Sequence, residues 1–236
     1  MHEDRHIRFG GDTIPAKIAS DPKIIRPARK MTSTPIAGTN RENIQMEDAW
    51  ETYDQPYSLY LGDGSEDSIQ EAIQTVAEKL FKTGWQVLED DYEPDIFRLA
   101  YYKGPFEVEN RYTRIGKFDI TFRCRPERFL KTGDTPVSVA SGESLPNPTA
   151  QTAKPLIHIV GSGSGNLTVG DTTMAFTGLV DYLNIDCDTM NVYRLASENR
   201  NSLMTGEFPV LKSGQNPITF TGGITSVTIT PRFWVI

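Results

Sequence analysis

A single stretch of this 236-residue chain, residues 68–83, carries a helical period, and almost everything after it runs on a period of two. Ile69, Ile73, Val76, Leu80 and Phe81 recur at three- and four-residue spacings and make one apolar stripe, the mark of a helix that lays one side on a core. Asp67 or Ser68 can accept the first free N–H groups, Glu71 suits the positive end, and Lys79 and Lys82 suit the negative end. Gly84 can take the left-handed cap. Residues 85–88, 96–102, 106–112 and 118–123 are then rich in aromatic and β-branched side chains and are separated by turn residues, which predicts a meander packed on the helix. Arg125-Pro126 is expected to end the last of these strands, because proline has no N–H to give to a ladder.

From 131 to 154 the composition shifts to Thr, Ser, Gly and Pro, a natural domain boundary. Short strands then resume at 156–160, 167–169, 173–176, 182–188 and 191–195, a spacing that predicts a β-sandwich. Ile218, Phe220 and the run 224–229 alternate around Gly222-Gly223, a pair suited to a tight hairpin turn. Phe233, Trp234, Val235 and Ile236 are costly to leave in water and are expected in a sheet or an interface, with Pro231 marking an edge or bulge before them. The expected organisation is thus mainly β with one helix. Domain 1–132 is a β-barrel or meander carrying helix 68–83, and domain 133–236 is an antiparallel β-sandwich whose first part, 133–154, is a linker or arm.

Several function classes fall away on composition. Hydrophobic residues make up 38% of the chain, and no apolar run approaches the roughly 18 residues of a membrane helix, so no membrane insertion is expected. Met-His-Glu-Asp-Arg-His lacks the apolar core of a secretory signal, so synthesis in a cytosol is expected. The net charge is −7 and neither half is basic; Lys23, Arg26, Arg29 and Lys30 form the one local excess, too little for sequence-specific nucleic-acid binding. Cys124 and Cys187 lack metal or redox spacing and read as buried small hydrophobes.

The candidates for chemistry are weak. Gly161-Ser-Gly-Ser-Gly follows a strand, but a phosphate loop needs a helix after it, and Leu167-Thr-Val reads as another strand, which leaves a flexible strand connection. Asp186 and Asp188 share a strand face, with Asp181 close by, yet they lack the loop spacing of a calcium site and read as a solvated face or an intersubunit ion pair. Glu89, Asp90, Asp91, Glu93 and Asp95 read as an acidic turn. His2 and His6 lie in the terminal arm, and His158 sits between Ile157 and Ile159 on the less buried face of a strand; they assemble no triad or metal set. Trp85, Tyr101, Tyr102, Tyr182, Tyr193, Phe233 and Trp234 could stack on sugars, but strand positions make core the safer reading. No catalytic, cofactor-binding or metal-binding residue is assigned, no cofactor is expected, and no enzymatic activity is expected.

The C-terminal stretch Gly206-Glu-Phe-Pro-Val-Leu-Lys-Ser-Gly-Gln-Asn-Pro-Ile, followed by Gly-Gly-Ile-Thr-Ser-Val-Thr-Ile-Thr-Pro-Arg-Phe-Trp, resembles the C-terminal signature of the distal tail proteins of long-tailed, non-contractile phages. The resemblance extends through Asn147-Pro-Thr-Ala-Gln-Thr-Ala-Lys-Pro-Leu-Ile-His-Ile-Val-Gly-Ser-Gly and Tyr182-Leu-Asn-Ile-Asp-Cys-Asp, and more weakly through Ile115-Gly-Lys-Phe-Asp-Ile-Thr-Phe-Arg-Cys-Arg-Pro. It implies a virion structural protein at the distal tail tip, made in the bacterial host cytoplasm. In that family an N-terminal domain forms a hexameric ring and a galectin-like C-terminal domain faces outward. The implied partners are the major tail tube protein, the tail-tip or tail-associated lysin protein, the tape measure protein and receptor-binding proteins, with roles in host attachment and the DNA-ejection conduit. Surfaces from about residue 60 to 125 are the expected ring contacts. A carbohydrate-binding module that contacts host polysaccharide is the alternative.

Overall fold

The computed structural model describes residues 5–61, 69–112 and 115–236, without the side chains of 109–112 and 115. The chain forms two compact units, Met1–Arg128 with Ile236, and Phe129–Val235. The first holds β1 (His6–Phe9), β2 (Asp12–Ile18), β3 (Arg29–Pro35), β4 (Glu42–Trp50), β5 (Tyr53–Leu61), α1 (Ile69–Leu80), β6 (Gln86–Asp90), β7 (Ile96–Tyr102), β8 (Glu109–Tyr112) and most of β9 (Ile115–Leu130).

Its sheet runs in the order β9-β5-β2-β1-β6-β7, and β7 pairs back to β9, so the sheet closes on itself and leaves no edge along this circuit. β8 attaches to β9. The longest ladder joins β5 to β9, from Tyr53 opposite Cys124 to Leu61 opposite Gly116. Along β5 every second residue, Tyr53, Gln55, Tyr57, Leu59 and Leu61, is buried, as strand alternation requires. Phe122 centres the interior, with ring centroids of Phe9, Tyr102 and Tyr57 at 4.8, 5.8 and 6.1 Å.

The helix packs on β2 and β5 through buried Ile69, Val76 and Leu80. It stops at Leu80, so Phe81 is not part of the stripe; its ring is largely exposed and leans on Tyr102 at 5.4 Å. Gly84 adopts φ 74°, while the expected cap residues Asp67 and Ser68 lie outside the described residues. Lys79 and Lys82 fasten the helix end to the barrel by donating to the carbonyls of Thr13 and Gly10, at 2.9 and 2.8 Å.

Proline did not stop β9. The strand runs through Pro126 to Leu130 because the β5 ladder ends at Cys124, and past that point no N–H is needed on that side.

The second unit holds β10 (Val137–Val139), β11 (Ser144–Asn147), β12 (Leu156–Val169), β13 (Thr172–Asp186), β14 (Asn191–Tyr193), β15 (Met204–Thr205), β16 (Gly214–Thr230) and β17 (Trp234–Val235). The order is β10-β16-β12-β13-β14, with β11 on β16 and β15 on β13. Residues 131–154 therefore belong to the unit, and Val139, Leu145, Asn147, Thr149 and Ala153 are buried in it.

Three expectations fail here together. The short strands are continuous: β12, β13 and β16 are each long, Gly161-Ser-Gly-Ser-Gly lies inside β12, and Gly222-Gly223 lies inside β16 rather than in a hairpin turn. The glycines face each other across the ladder. A Cβ on Gly161 would come 2.3 Å from the Gly223 carbonyl oxygen, and one on Gly165 2.6 Å from that of Thr221. Register shifts at Val160/Gly161 and Gly161/Gly165 bend both strands where they touch. The bend folds the two halves of β12 around one core, which Ile157 and Ile159 enter from one half and Leu167 and Val169 from the other. At the chain's end Phe233 is buried, and its carbonyl accepts from the Leu130 N–H at 2.9 Å.

Candidate assembly interface

β3 and β4 form a two-stranded sheet by themselves. Met31 lies opposite Met46 and Ser33 opposite Ile44, so Met31, Ile44 and Met46 share one face, and they are 63%, 54% and 65% exposed. The root is held: Arg29 donates to the Glu47 carbonyl at 3.2 Å, pairs with Asp48 at 3.4 Å and sits 5.7 Å over the Trp50 ring. A lone hairpin is marginal in water, and an exposed methionine and isoleucine face is a candidate docking surface.

A second apolar strip lies on the outside of the barrel. Val87 of β6 is paired with Leu99 of β7, and Trp85 stacks edge-on against Tyr101 at 5.0 Å, with the Arg125 guanidinium 5.3 Å over the indole. Trp85 is 40% exposed, so it is surface and not the core residue its strand position suggested; Tyr102 and Phe233 are the members of that aromatic set that are buried.

The acidic turn after β6 builds a buried ionic cluster and is therefore no simple surface loop. Asp90 accepts from Tyr57 Oη at 2.7 Å and Arg98 Nη1 at 3.2 Å, and its other oxygen accepts from the N–H groups of Tyr92 and Glu93. Glu93 bridges Arg98 and Arg128, while Asp91 takes both amino groups of Arg8 at 2.7 and 2.8 Å. Burial would lower the Arg98 pKa, but the surrounding Tyr57, Tyr53, Asp90 and Glu93 together raise it, so this guanidinium stays charged. Burial, helped by the Asp90 charge, pushes the Tyr57 phenol well up. The sequence signal was Arg98 itself, which is in phase with buried Ala100 and Tyr102.

In the second unit the aspartates are taken up by ion pairs within the chain. Arg232 grips Asp186 at 2.7 Å, Lys154 meets Asp188 at 3.3 Å and Arg194 meets Asp181 at 2.9 Å. The strand ends at Asp186, whose carboxylate instead caps the N–H groups of Asp188 and Thr189, so Asp186 and Asp188 do not line one strand face. Burial pushes Asp186 up, yet the Arg232 hydrogen bond and charge and the two N–H groups outweigh it and hold the carboxyl below its ordinary 3.8. A depressed folded pKa contributes stability above the unfolded value and loses it as pH falls through the folded one. Trp234 fluorescence in urea is thus expected to show the second unit weakening below about pH 4, and Arg232→Met is expected to flatten that acid limb.

Cys124 and Cys187 are buried free thiols, and burial pushes both up to about 12, which suppresses thiolate chemistry. His158 Nδ1 lies 2.9 Å from Asn184 Oδ1. Among the described residues no three His, Cys, Asp or Glu side chains gather as a metal would require.

The fold, a closed barrel with one helix and a glycine-bent second unit, is similar to that of solved phage structures. The crystal structure of Dit from phage SPP1, a paradigm of the hub adsorption apparatus in phages that infect Gram-positive hosts, matches with TM-score 0.75 over 99% of this chain and 100% of that one, at 13% identity. One chain in the structure of the phage P2 baseplate in its activated conformation matches with TM-score 0.55 for the Ca form and 0.53 for the Sr form, each at 10% identity over 95% of this chain and 97% of that one. At these identities the likeness is one of fold. No protein-family model and no curated protein sequence matches the chain.

Proposed function

We propose that this chain is a structural phage tail protein: a hexameric hub at the distal end of the tail tube that links the tube to the tail tip and receptor-binding apparatus. The observation that carries this is the match to the SPP1 hub protein across both units and both whole chains. The work is geometric and not catalytic. One face of the ring docks the major tail tube protein and the other the tail-tip or lysin protein, with the tape measure protein and receptor-binding proteins as further partners. The second unit faces outward as a galectin-like domain.

The ring contact follows from the two apolar surfaces. A ring needs two different patches on each subunit, each meeting its counterpart on a neighbour. The Met31, Ile44 and Met46 face suits the one role and the Trp85, Val87, Leu99 and Tyr101 strip the other. This extends the expected contact region, residues 60 to 125, back to residue 29. Copies at −7 each give the conduit few reasons to retain DNA, since phosphate adhesion comes from Lys and Arg; a lumen lined by Lys23, Arg26, Arg29 and Lys30 overturns that point.

Light scattering is expected to give a mass near six 26.4 kDa subunits. Ile44→Asp with Met46→Asp is expected to release monomers with unchanged circular dichroism. A monomer at every concentration overturns the self-assembled ring. A hexamer indifferent to both substitutions overturns the hairpin contact. Met46→Cys with Val87→Cys should cross-link neighbouring copies by a bis-maleimide, because the two native thiols are buried.

A further inference from the structure

The second unit contains a cavity of about 320 Å³ lined by Gly178, Val180, Leu183, Leu203, Arg194 and Arg200. That volume is at the small end of ligand sites, which begin at roughly 300 Å³, and fits a body the size of one sugar residue. Its lining combines three aliphatic residues and one glycine with two arginines and includes no acidic residue.

Both arginines are fixed in place. Arg194 Nη2 pairs with Asp181 at 2.9 Å, its guanidinium rests 5.4 Å over the Tyr182 ring, and its carbonyl accepts from Asn184 Nδ2 at 3.2 Å. Arg200 Nη2 pairs with Glu198 at 2.5 Å, and its backbone N–H donates to the Val192 carbonyl at 2.7 Å. Each carboxylate engages one amino group, and a guanidinium has five donors in a planar fork, so a further edge of each is available for an oxyanion.

Asp181 holds its guanidinium from a left-handed backbone, φ 69°, inside strand β13. A left-handed backbone costs aspartate less than most residues, and it fixes the direction of this carboxylate. An exposed ion pair returns little stability by itself, so folding alone gives little reason for the arrangement.

We propose that this cavity binds a small organic oxyanion, a carboxylate or phosphate carried on a body of monosaccharide size. The anion would meet Arg194 and Arg200, and the body would cover Leu183, Leu203 and Val180. The proposal goes beyond the hub reading and holds whether or not the chain forms a ring.

Calorimetric titration of the full chain with glucuronate, glucose 1-phosphate, inorganic phosphate and glucose tests it. At least one anionic sugar is expected to saturate with a dissociation constant of about 1 mM, and which one does so identifies carboxylate or phosphate as the anion. Glucose should not saturate, and inorganic phosphate should bind more weakly than the better sugar. Arg200→Gln is expected to weaken binding about tenfold or more, and Val180→Trp, at an exposed position on the cavity wall, to abolish it, both with unchanged circular dichroism. No saturation by either anionic sugar at about 20 mM, equal binding of glucose or inorganic phosphate, or indifference to both variants overturns the site.

Discussion

Replacing Gly223 by alanine is expected to lower the stability of the second unit by about 3 kcal/mol or more, because overpacking that neither side can relieve sits at the top of its usual range. A Cβ at this position falls 1.6 Å from the Ser162 carbonyl oxygen and 2.8 Å from its carbon. Both are backbone atoms, so no rotamer change helps, and β12 and β16 must part at the bend that wraps the core. The three tryptophans give the readout: Trp234 lies in the second unit, and Trp50 and Trp85 lie in the first. In urea the Trp234 transition should move to much lower denaturant while the other two hold. Gly163→Ala is the comparison, since Gly163 has φ 77° but nothing within 4 Å of its Cβ, which leaves a backbone penalty of only about 1–2 kcal/mol. If Gly223→Ala costs no more than Gly163→Ala, close approach is not what shapes the bend.

That glycine pair also shows where the sequence stops being readable. Gly222-Gly223 between alternating residues satisfies every local rule for a hairpin. The alternative, a close crossing within one long strand, depends on Gly161 and Gly165 in a partner far upstream. A pattern rule that looks only along the chain cannot choose between them. Where local signals suffice, the agreement is close: β7 covers the expected residues, and the helix is shorter than expected only at its ends, the first of which adjoins undescribed residues.

The exposed apolar surfaces were harder to read than the fold. Ile44 and Met46 alternate with polar residues, and Gly38 offers a turn with φ 78°, so a hairpin was within reach of the sequence. Alternation by itself says that the apolar side is covered, not whether its own chain or a neighbour covers it. Trp85 misled for the same reason, since a large aromatic in a strand suits a core and an interface equally. The cavity arginines, Arg194 and Arg200, lie beyond the end of β13 at Asp186, and no spacing in the sequence brings them together.

Arg98→Met is expected to be the most damaging change in the first unit, at about 3–5 kcal/mol, the usual cost of leaving a buried charge without its partner. The arginine side chain is 4% exposed and that of Asp90 3%, so water cannot replace the lost guanidinium. Its loss strips the 3.2 Å contact to Asp90, the contact to Glu93 and the 3.2 Å bond to Tyr53 Oη, and leaves Arg128 to balance Glu93 alone. Asp90→Asn should cost less, because an amide retains an oxygen for the Tyr92 and Glu93 N–H groups while losing its attraction to Arg98. The double variant Arg98→Met with Asp90→Asn is therefore expected to be more stable than Arg98→Met alone, with a coupling of about 1–3 kcal/mol. Urea midpoints read from Trp50 and Trp85 in the four proteins give that cycle. Strict additivity would mean that Asp90 and Arg98 do not balance each other.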